Sequence, residues 1–129
     1  EINDLYDYQY VYDVFKQDHY QNGMFFCMKD GIFPNWEDPD NRLGGCLSFK
    51  VKSIKVLDEW NRLLLRCING LILSGSNDEI NGISISPKKE FNIIKIWFKD
   101  DGFSYKEYFQ NTKDSLISLE NSLYKKHEF

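Results

Sequence analysis

The chain has 129 residues, of which 42% are hydrophobic and 28% are charged, and its formal net charge is −4. This length predicts one domain spanning residues 1–129, and the apolar content excludes a disordered tail. The net negative charge argues against a protein that coats nucleic acid through many phosphate contacts, so any contact with nucleic acid should be local.

Cysteine usage and hydropathy predict the compartment. The three cysteines, Cys27, Cys46 and Cys67, are an odd number without metal-ligand spacing, which argues against a disulfide framework and for a reducing compartment. No apolar run approaches the roughly 18 residues of a membrane span, and no secretory leader is recognisable. We therefore expect a cytoplasmic or nuclear monomer without membrane association. The first residue is Glu1 rather than Met, so the position of the ends carries little weight.

The first half of the chain contains three predicted elements and a loop. Asp7 is expected to N-cap a short helix with apolar residues at Val11, Val14 and Phe15. Residues 24–28 form an apolar run typical of a buried strand. A polar loop with two glycines at its end follows over residues 31–45. Alternation of apolar and polar residues over 47–52 then predicts a strand with one buried face.

The second half begins with a helix and a hairpin. Apolar residues at spacings of three and four predict a helix of about four turns over 57–71, which residues 74–78 end. Alternation over 83–86 and 91–98, around the sequence Pro87-Lys88-Lys89-Glu90, predicts a hairpin with a basic tip. Trp97 should lie opposite the apolar face of the second arm.

The C-terminal part has the pattern of one or two helices. Ser104 and Glu107 fit a capping box, and Leu116, Leu119 and Leu123 would supply an apolar stripe. Helices and strands thus interleave irregularly, and the strand pairs are expected to be antiparallel. The predicted fold class is α+β rather than doubly wound.

The loop that contains Trp36 and Glu37 carries the chemical information. The indole offers a flat π face, and the neighbouring carboxylate can accept two parallel N–H bonds, which match the N1–H and the exocyclic amine of guanine. An N7-methylated, positively charged guanine suits the pair better, because cation–π attraction adds to stacking. The alternative is a tryptophan that covers a small core beside a solvated glutamate.

A longer motif extends this pair. The segment Lys29-Asp30-Gly31-Ile32, then Pro34, Trp36-Glu37-Asp38, Asn41 and Gly44-Gly45, resembles the eukaryotic translation initiation factor 4E family, the mRNA cap-binding proteins. Trp60, Leu64, Ile68, Gly82, Ile94 and Trp97 follow in the order of that family. The resemblance covers roughly residues 7–97. It implies a curved antiparallel β-sheet with helices packed on its convex back and the cap on its concave face.

The resemblance also assigns roles to individual residues. Trp36 would be one of two rings that sandwich 7-methylguanine, and its backbone N–H would meet the base O6. Glu37 would accept the N1–H and the amine, and Trp97 would contact the N7-methyl group. Lys88 falls where the family places a basic residue on the cap phosphates, although an ordinary turn lysine is the alternative.

Three departures from the family pattern concern the pocket and the partner. The first sandwich tryptophan would lie before residue 1, so the second ring comes either from outside this sequence or from Tyr6, Tyr8 or Phe33. Two basic positions of the family are Cys46 and Ile93 here, and Lys95 and Lys50 are possible replacements on the same strand faces.

The partner surface departs from the family pattern as well. On the convex face, a scaffold-type initiation factor or a repressor helix would meet Tyr12, Asn61 and Leu65, with Arg62 at an acidic position of the family.

No pattern in the sequence supports catalysis, a cofactor or a metal. Glu37, Asp38 and Asp40 lack further oxygen ligands at calcium-loop spacing, and His19 and His127 lack zinc-type partners. We therefore predict binding of the 7-methylguanosine 5′ cap in translation initiation, without chemistry. The alternative is a protein-interaction module on the same scaffold that acts as a decoy or regulator. Abundant Ile, Lys and Asn hint at an AT-rich genome, viral or parasitic.

Overall fold

The computed structural model describes residues 1–2, 5–112 and 115–127, except for the side chain of Leu5. Four helices and five strands are formed by the following segments, in chain order: α1 (Leu5–Val14), α2 (Gln17–Asn22), β1 (Phe25–Met28), β2 (Gly45–Lys52), α3 (Val56–Ile68), β3 (Ile80–Pro87), β4 (Phe91–Phe98), α4 (Tyr105–Tyr108) and β5 (Ser122–Lys126). None of the helices within these described residues is both long and apolar enough to cross a membrane.

The strands form one curved, unclosed sheet in the order β1-β3-β4-β2-β5. Every described strand pair is antiparallel, and β3 and β4 are the two arms of the predicted hairpin. The helices pack on the convex face of this sheet. The α+β class and the predicted architecture are confirmed.

The core lies between the convex face and the helices because the apolar side chains of the strands alternate with polar ones. Two rows of paired residues supply this face across four strands. One row is Cys27, Ile83, Ile96 and Leu47, and the other is Phe25, Ile85, Ile94 and Phe49. The isoleucines, Leu47 and Phe49 are completely buried.

Helix α3 covers the centre of this face, with Trp60, Leu63 and Leu64 buried. The helix ends at Ile68, several residues before the predicted end. Gly70 adopts a left-handed conformation with φ of 69°, and the Leu71 N–H donates to the Arg66 carbonyl at 2.8 Å. This is the Schellman arrangement that terminates helices, and it leaves Leu71 exposed rather than in the core.

Two predictions near the N-terminus need correction. Helix α1 already begins at Leu5, so Asp7 lies in its first turn rather than at the N-cap. Strand β1 is present but not fully buried, because it is an edge strand that pairs only with β3 among the described strands. Phe26 is 40% exposed on the concave side.

The predicted C-terminal helices are wrong. Helix α4 has a single turn, and the Ser104 side chain makes no capping hydrogen bond. Residues beyond it form a fifth strand, since the open edge of β2 offers hydrogen bonds to an extended segment. Asn121 and Ser122 also bond backbone carbonyls through their side chains, which competes with helix formation.

Candidate functional site

The concave face of the sheet is built from two adjacent rows of paired residues. Across β1, β3, β4, β2 and β5, the first row is Met28, Gly82, Trp97, Cys46 and Lys125. The second row is Phe26, Ser84, Lys95, Ser48 and Leu123. An indole and an ammonium group therefore stand side by side on a face that no described helix covers.

A cavity of about 400 Å³ opens on this face. It is lined by Trp36, Cys46, Ser48, Lys95, Trp97, Leu123, Lys125, Lys126 and His127. The loop before β2, strand β4 and strand β5 each contribute an aromatic or basic side chain. Three residues that the sequence predicts for one site, namely Trp36, Lys95 and Trp97, are thus brought together.

Trp97 forms the floor of the cavity. It is on the face opposite Ile94 and Ile96, as predicted, and only 7% of it is exposed. Its Nε1–H donates to the Ser84 hydroxyl at 3.0 Å, which fixes the ring plane. Phe26 approaches it edge-on at 6.4 Å between ring centroids. The indole is therefore a rigid surface rather than a mobile cover.

The loop that carries Trp36 is held by buried polar side chains. Both oxygens of the Asp38 carboxylate accept backbone N–H bonds, from Phe33 at 3.1 Å and from Asp40 at 2.9 Å. The Asn41 amide, which is completely buried, donates to the carbonyls of Phe33 and Asn35. These bonds replace regular secondary structure and keep the loop in one conformation.

The same loop is anchored to the sheet through Asn81 on β3. Its amide donates to the Asp40 carbonyl at 2.7 Å and to the Asn41 side-chain oxygen at 2.8 Å. At the end of the loop, any side chain at Gly44 would collide with the Phe98 carbonyl of β4. The loop and the hairpin that carry the two tryptophans are therefore tied together.

Glu37 and Phe33 are exposed residues of this loop and do not line the cavity. Glu37 directly follows Trp36, while Phe33 is 69% exposed. Trp36 itself is 37% exposed, so its ring is accessible to a ligand. In this structure the aromatic floor is formed, and the expected guanine-edge acceptor is the exposed residue next to Trp36.

Basic side chains surround the cavity from two strands. Lys95 comes from β4, and Lys125 and Lys126 come from β5. The Lys126 ammonium lies 3.9 Å from the Asp101 carboxylate. Burial raises the pKa of the Cys46 thiol to about 12, although the nearby Lys95 opposes this shift, so this position is neutral. The cationic groups thus stand on either side of Cys46 rather than on it.

Lys88 and Lys50 lie elsewhere. Lys88 is exposed at the hairpin tip, where its N–H donates to the Phe91 carbonyl. Trp97 lies six positions after Phe91 on β4, roughly 20 Å along the strand. The Lys50 ammonium stands 4.4 Å from the centroid of the Phe91 ring and borders a separate cavity with Ile93. Only Lys95, of the three lysines predicted from the sequence, lines the tryptophan cavity.

The two tyrosine candidates for a second stacking ring belong to the helical layer. Tyr8 on α1 packs against the core, and its hydroxyl donates to the Asn61 carbonyl of α3 at 3.4 Å. Tyr6 on the same helix is 87% exposed. Because α1 covers the convex side, neither ring is near Trp36 in this structure.

His127 lines the cavity and was missed from the sequence. Its ring centroid lies 5.5 Å from that of Trp97, and its backbone N–H donates to the Gly44 carbonyl at 3.0 Å. Burial, with help from the positive charge of Lys95, lowers the pKa of its imidazole below the usual 6.5. Residues 122–127 show no regular alternation of apolar and polar side chains, so no local signal indicated the strand that brings Lys125 and His127 to the cavity.

The expected partner surface on the convex side is only partly exposed. Tyr12 on α1 is 46% exposed, and Leu65 on α3 is half-buried. Asn61 is buried under α1, with 5% of its surface exposed. The exposed Arg62 guanidinium lies 3.8 Å from the Glu59 carboxylate. Tyr12, Leu65 and Arg62 are therefore the accessible residues of this predicted surface.

Within the part of the chain that the structure describes, no three His, Cys, Asp or Glu side chains are grouped as metal ligands. Asp38, the most buried acid of the Trp36 loop, uses both carboxylate oxygens to organise that loop. The arrangement supplies a flat aromatic surface and ammonium groups, with an exposed carboxylate at the residue after Trp36. These groups can bind an aromatic, anionic ligand.

Comparison with known proteins agrees with this geometry. The sequence model of the family described as eukaryotic initiation factor 4E matches residues 1–128. Eukaryotic translation initiation factor 4E of Candida albicans is 37% identical over 81 residues, 59% of this chain and 38% of that protein. Initiation factor 4E-4 of Caenorhabditis elegans is 31% identical over 104 residues, 78% of this chain and 48% of that protein. The chain thus spans less than half the length of these relatives.

Solved structures show the same fold. Ascaris suum eIF4E-3 with an m7G cap has a TM-score of 0.68 and 23% identity, over 78% of this chain and 59% of that one. A schistosome eIF4E complexed with m7GpppG and 4E-BP has a TM-score of 0.68 and 24% identity, over 78% of this chain and 58% of that one. Among the relatives found by sequence, an initiation factor 4E homolog of Acanthamoeba polyphaga mimivirus is 34% identical over 64 residues, 48% of this chain and 24% of that protein.

Proposed function

The chain belongs to the eukaryotic initiation factor 4E family, and from this premise we propose that it binds the 7-methylguanosine 5′ cap of mRNA in support of translation initiation. The observation that carries the proposal is that Trp36, Trp97 and Lys95 together line one cavity on the concave face. The activity is equilibrium binding in the cytoplasm, without a chemical step.

The base is proposed to stack on Trp36 with its methylated edge toward Trp97. A 7-methylguanine is cationic, and the face of an indole attracts a cation as well as an aromatic ring. Glu37, the residue after Trp36, would accept the N1–H and the exocyclic amine, and a charged acceptor makes such bonds strong. The neutral imidazole of His127, with its lowered pKa, adds no positive charge that would repel the methylated base.

The cap phosphates are proposed to lie between β4 and β5. The family pattern places basic residues at the positions of Cys46 and Ile93, which carry no charge here. Lys95 borders the cavity on β4, and Lys125 and Lys126 border it on β5. The Lys95 and Lys125 ammonium groups would take over the neutralisation of phosphate, because the Lys126 ammonium is paired with the Asp101 carboxylate. Lys88, roughly 20 Å further along the sheet, would meet only a longer extension of the ligand.

A second aromatic ring is proposed to stack on the other side of the base. Tyr6 and Tyr8 lie on the convex side, so Phe33 is the candidate that shares the loop of Trp36. Its 69% exposure leaves the ring free to move toward a bound base. We assign the second stacking role to Phe33 within this chain.

A helical partner is proposed for the convex face. One structural neighbour, C. elegans eIF4E-3, is described in complex with the 4E-binding protein Mextli, and the schistosome protein with 4E-BP. On this chain, a scaffold-type initiation factor or a repressor helix would contact Tyr12 and Leu65, which lie on α1 and α3. Arg62 would favour an acidic residue on that partner.

Competitive elution from an immobilised cap analogue tests the proposal. The protein should stay on 7-methyl-GTP resin during a wash with GTP and elute with free 7-methyl-GTP. A folded protein that fails to bind the resin, or that GTP elutes equally well, would support the alternative of an interaction module without cap specificity. Binding of a partner helix that Tyr12→Ala weakens would then distinguish that module from an inactive sample.

A further inference from the structure

A second cavity adjoins the tryptophan cavity on the concave face. It has a volume of about 340 Å³, and it shares two lining residues with the first cavity, Ser48 on β2 and Leu123 on β5. Its lining also includes Lys50, Ile93 and Glu120. A ligand that fills the first cavity can therefore continue into the second without leaving the surface of the sheet.

The strand register gives the direction of this path. On β4, Trp97, Lys95 and Ile93 face the same side because they alternate along the strand, and Ile93 is about 14 Å from Trp97. On β2, Ser48 pairs with Lys95, and Lys50 pairs with Ile93. The path thus leads from an aromatic floor past one ammonium group to an apolar side chain beside a second ammonium group.

The second ammonium group, that of Lys50, has a defined position. It stands 4.4 Å from the centroid of the Phe91 ring, and the backbone carbonyl of Lys50 accepts a hydrogen bond from the Asn121 side chain at 2.9 Å. None of the ion pairs among the described residues includes Lys50. A ring face attracts the ammonium without using its N–H groups, so the positive charge is available to an anionic ligand.

The two ends of the concave face differ in charge. At the Trp97 end, β4 is followed by one lysine and two aspartates, namely Lys99, Asp100 and Asp101. At the hairpin end, exposed lysines outnumber exposed acids, with Lys50, Lys52, Lys88 and Lys89 against Glu90 and Glu120. A polyanion that extends from the tryptophan cavity is therefore attracted toward the hairpin.

We propose that the second cavity binds the nucleotide that follows the cap, so that the RNA chain runs from Trp97 toward the hairpin. The inference rests on the proposed cap binding, because a cap is joined through its phosphates to the first nucleotide of the chain. Lys50 contacts the phosphate after this nucleotide, and the base packs on Ile93 and on Leu123, which is 74% exposed. Apolar packing and a phosphate contact do not read base edges, so binding should depend little on which base follows the cap.

Titration with ligands of two lengths tests the proposal. The ligands are 7-methyl-GTP and a capped trinucleotide, in which two nucleotides follow the 7-methylguanosine cap. Lys50→Gln should weaken binding of the capped trinucleotide about two- to fivefold and leave binding of 7-methyl-GTP unchanged. For the trinucleotide, the slope of log affinity against log salt should become about 0.7 less steep, the value of one phosphate contact with a single strand.

Two further variants serve as controls. Lys50→Arg keeps the positive charge and should retain the affinity for the trinucleotide. Lys106→Gln makes the same change of charge at an exposed lysine of α4, on the helical side, and should bind both ligands as the wild-type protein does. Circular dichroism verifies that each variant is folded.

Three results would overturn the proposal. If the wild-type protein binds 7-methyl-GTP but Lys50→Gln loses no affinity for the trinucleotide, the second cavity does not bind the RNA chain, and the proposed cap binding stands. Equal losses in Lys50→Gln and Lys106→Gln would show that only the net charge matters. If the folded wild-type protein does not bind 7-methyl-GTP, both the cap binding and this extension of it are wrong.

Discussion

The rings of Trp97 and His127 lie 5.5 Å apart between their centroids, with their planes inclined at 47°. One residue is at the end of β4, and the other directly follows β5, so β2 lies between their strands. The Cys46 sulfur of that strand stands 3.9 Å from His127 Nε2. The C-terminal segment thus completes a wall of the tryptophan cavity.

His127 should make stability depend on pH. Burial and Lys95 lower the pKa of its imidazole in the folded protein below the unfolded value of 6.5. The unfolded chain therefore binds more protons as the pH falls, and the stability contributed above pH 6.5 is lost as the pH falls from that value through the folded pKa. The free energy of unfolding in urea should decrease between about pH 7.5 and about pH 5.5.

Replacement of this histidine separates its contribution from that of other groups. His127→Gln should show a smaller decrease in the free energy of unfolding over this pH range than the wild-type protein. An unchanged decrease in His127→Gln would show that other groups cause it.

Lys95 should contribute to binding of the phosphates and not of the base. Lys95→Gln removes one ammonium from the cavity, so the affinity for 7-methyl-GTP should fall about tenfold, with a weaker dependence on salt. The affinity for 7-methylguanosine, which has no phosphates, should change less than about twofold. Isothermal titration with both ligands measures the difference.

Lys50 supplies the matched control for this experiment. It is on β2, and its ammonium stands over the Phe91 ring rather than in the tryptophan cavity. Lys50→Gln should bind 7-methyl-GTP as the wild-type protein does. Equal losses in the two variants would mean that only the net charge of the protein matters and that Lys95 has no specific position.

Asn41 should be a main determinant of loop structure. Asn41→Ala removes one buried hydrogen bond from each of the Phe33 carbonyl, the Asn35 carbonyl and the Asn81 amide. We expect a loss of about 2–3 kcal/mol in the free energy of unfolding and weaker ligand binding. Asn69→Ala, at an exposed asparagine after α3, should cost less than about 0.5 kcal/mol. Similar small effects of both changes would contradict the role of Asn41.

Periodicity predicted the central part of the fold because burial there is one-sided and regular. Alternation placed Trp97 opposite Ile94 and Ile96, and the structure confirms this arrangement. The end of α3 was predicted too late, since Leu71 continues the apolar spacing although Gly70 has already ended the helix. The spacing of apolar residues does not reveal the backbone conformation that ends a helix.

The C-terminal strand could not be recognised from local pattern. Leu116, Leu119 and Leu123 have helical spacing, but the available edge of β2 determines the conformation of this segment. The partner strand β2 is distant in the sequence, so the pattern of the C-terminal residues alone cannot reveal this pairing. Because this segment was assigned to a helix, Lys125 and His127 were not predicted to line the cavity, which they reach only from a strand.

The sequence predicted those residues of the candidate site that belong to one continuous motif. Trp36 and Glu37 belong to this motif, and Asp38 and Asn41 shape its loop. The position of Tyr8 was not predictable, because a ring on an amphipathic helix can face either layer until the packing of that helix is known. Tyr8 packs on α3 and is 53 residues from its hydrogen-bond partner Asn61.

The most direct test of cap binding is a titration of intrinsic tryptophan fluorescence. The 7-methylguanosine cap dinucleotide and its unmethylated counterpart are added in parallel to the wild-type protein, Trp36→Ala and Glu37→Ala. Tyr6→Ala is the control, because this exposed ring of α1 is on the helical side.

The methylated dinucleotide should quench the fluorescence of the wild-type protein more strongly than the unmethylated one. Trp36→Ala should weaken this affinity about 5- to 150-fold, since base stacking is worth roughly 1–3 kcal/mol. Glu37→Ala should weaken it at least about tenfold, and Tyr6→Ala should leave it unchanged. Equal responses to both dinucleotides, or none, in a wild-type protein shown to be folded would contradict cap recognition by this chain.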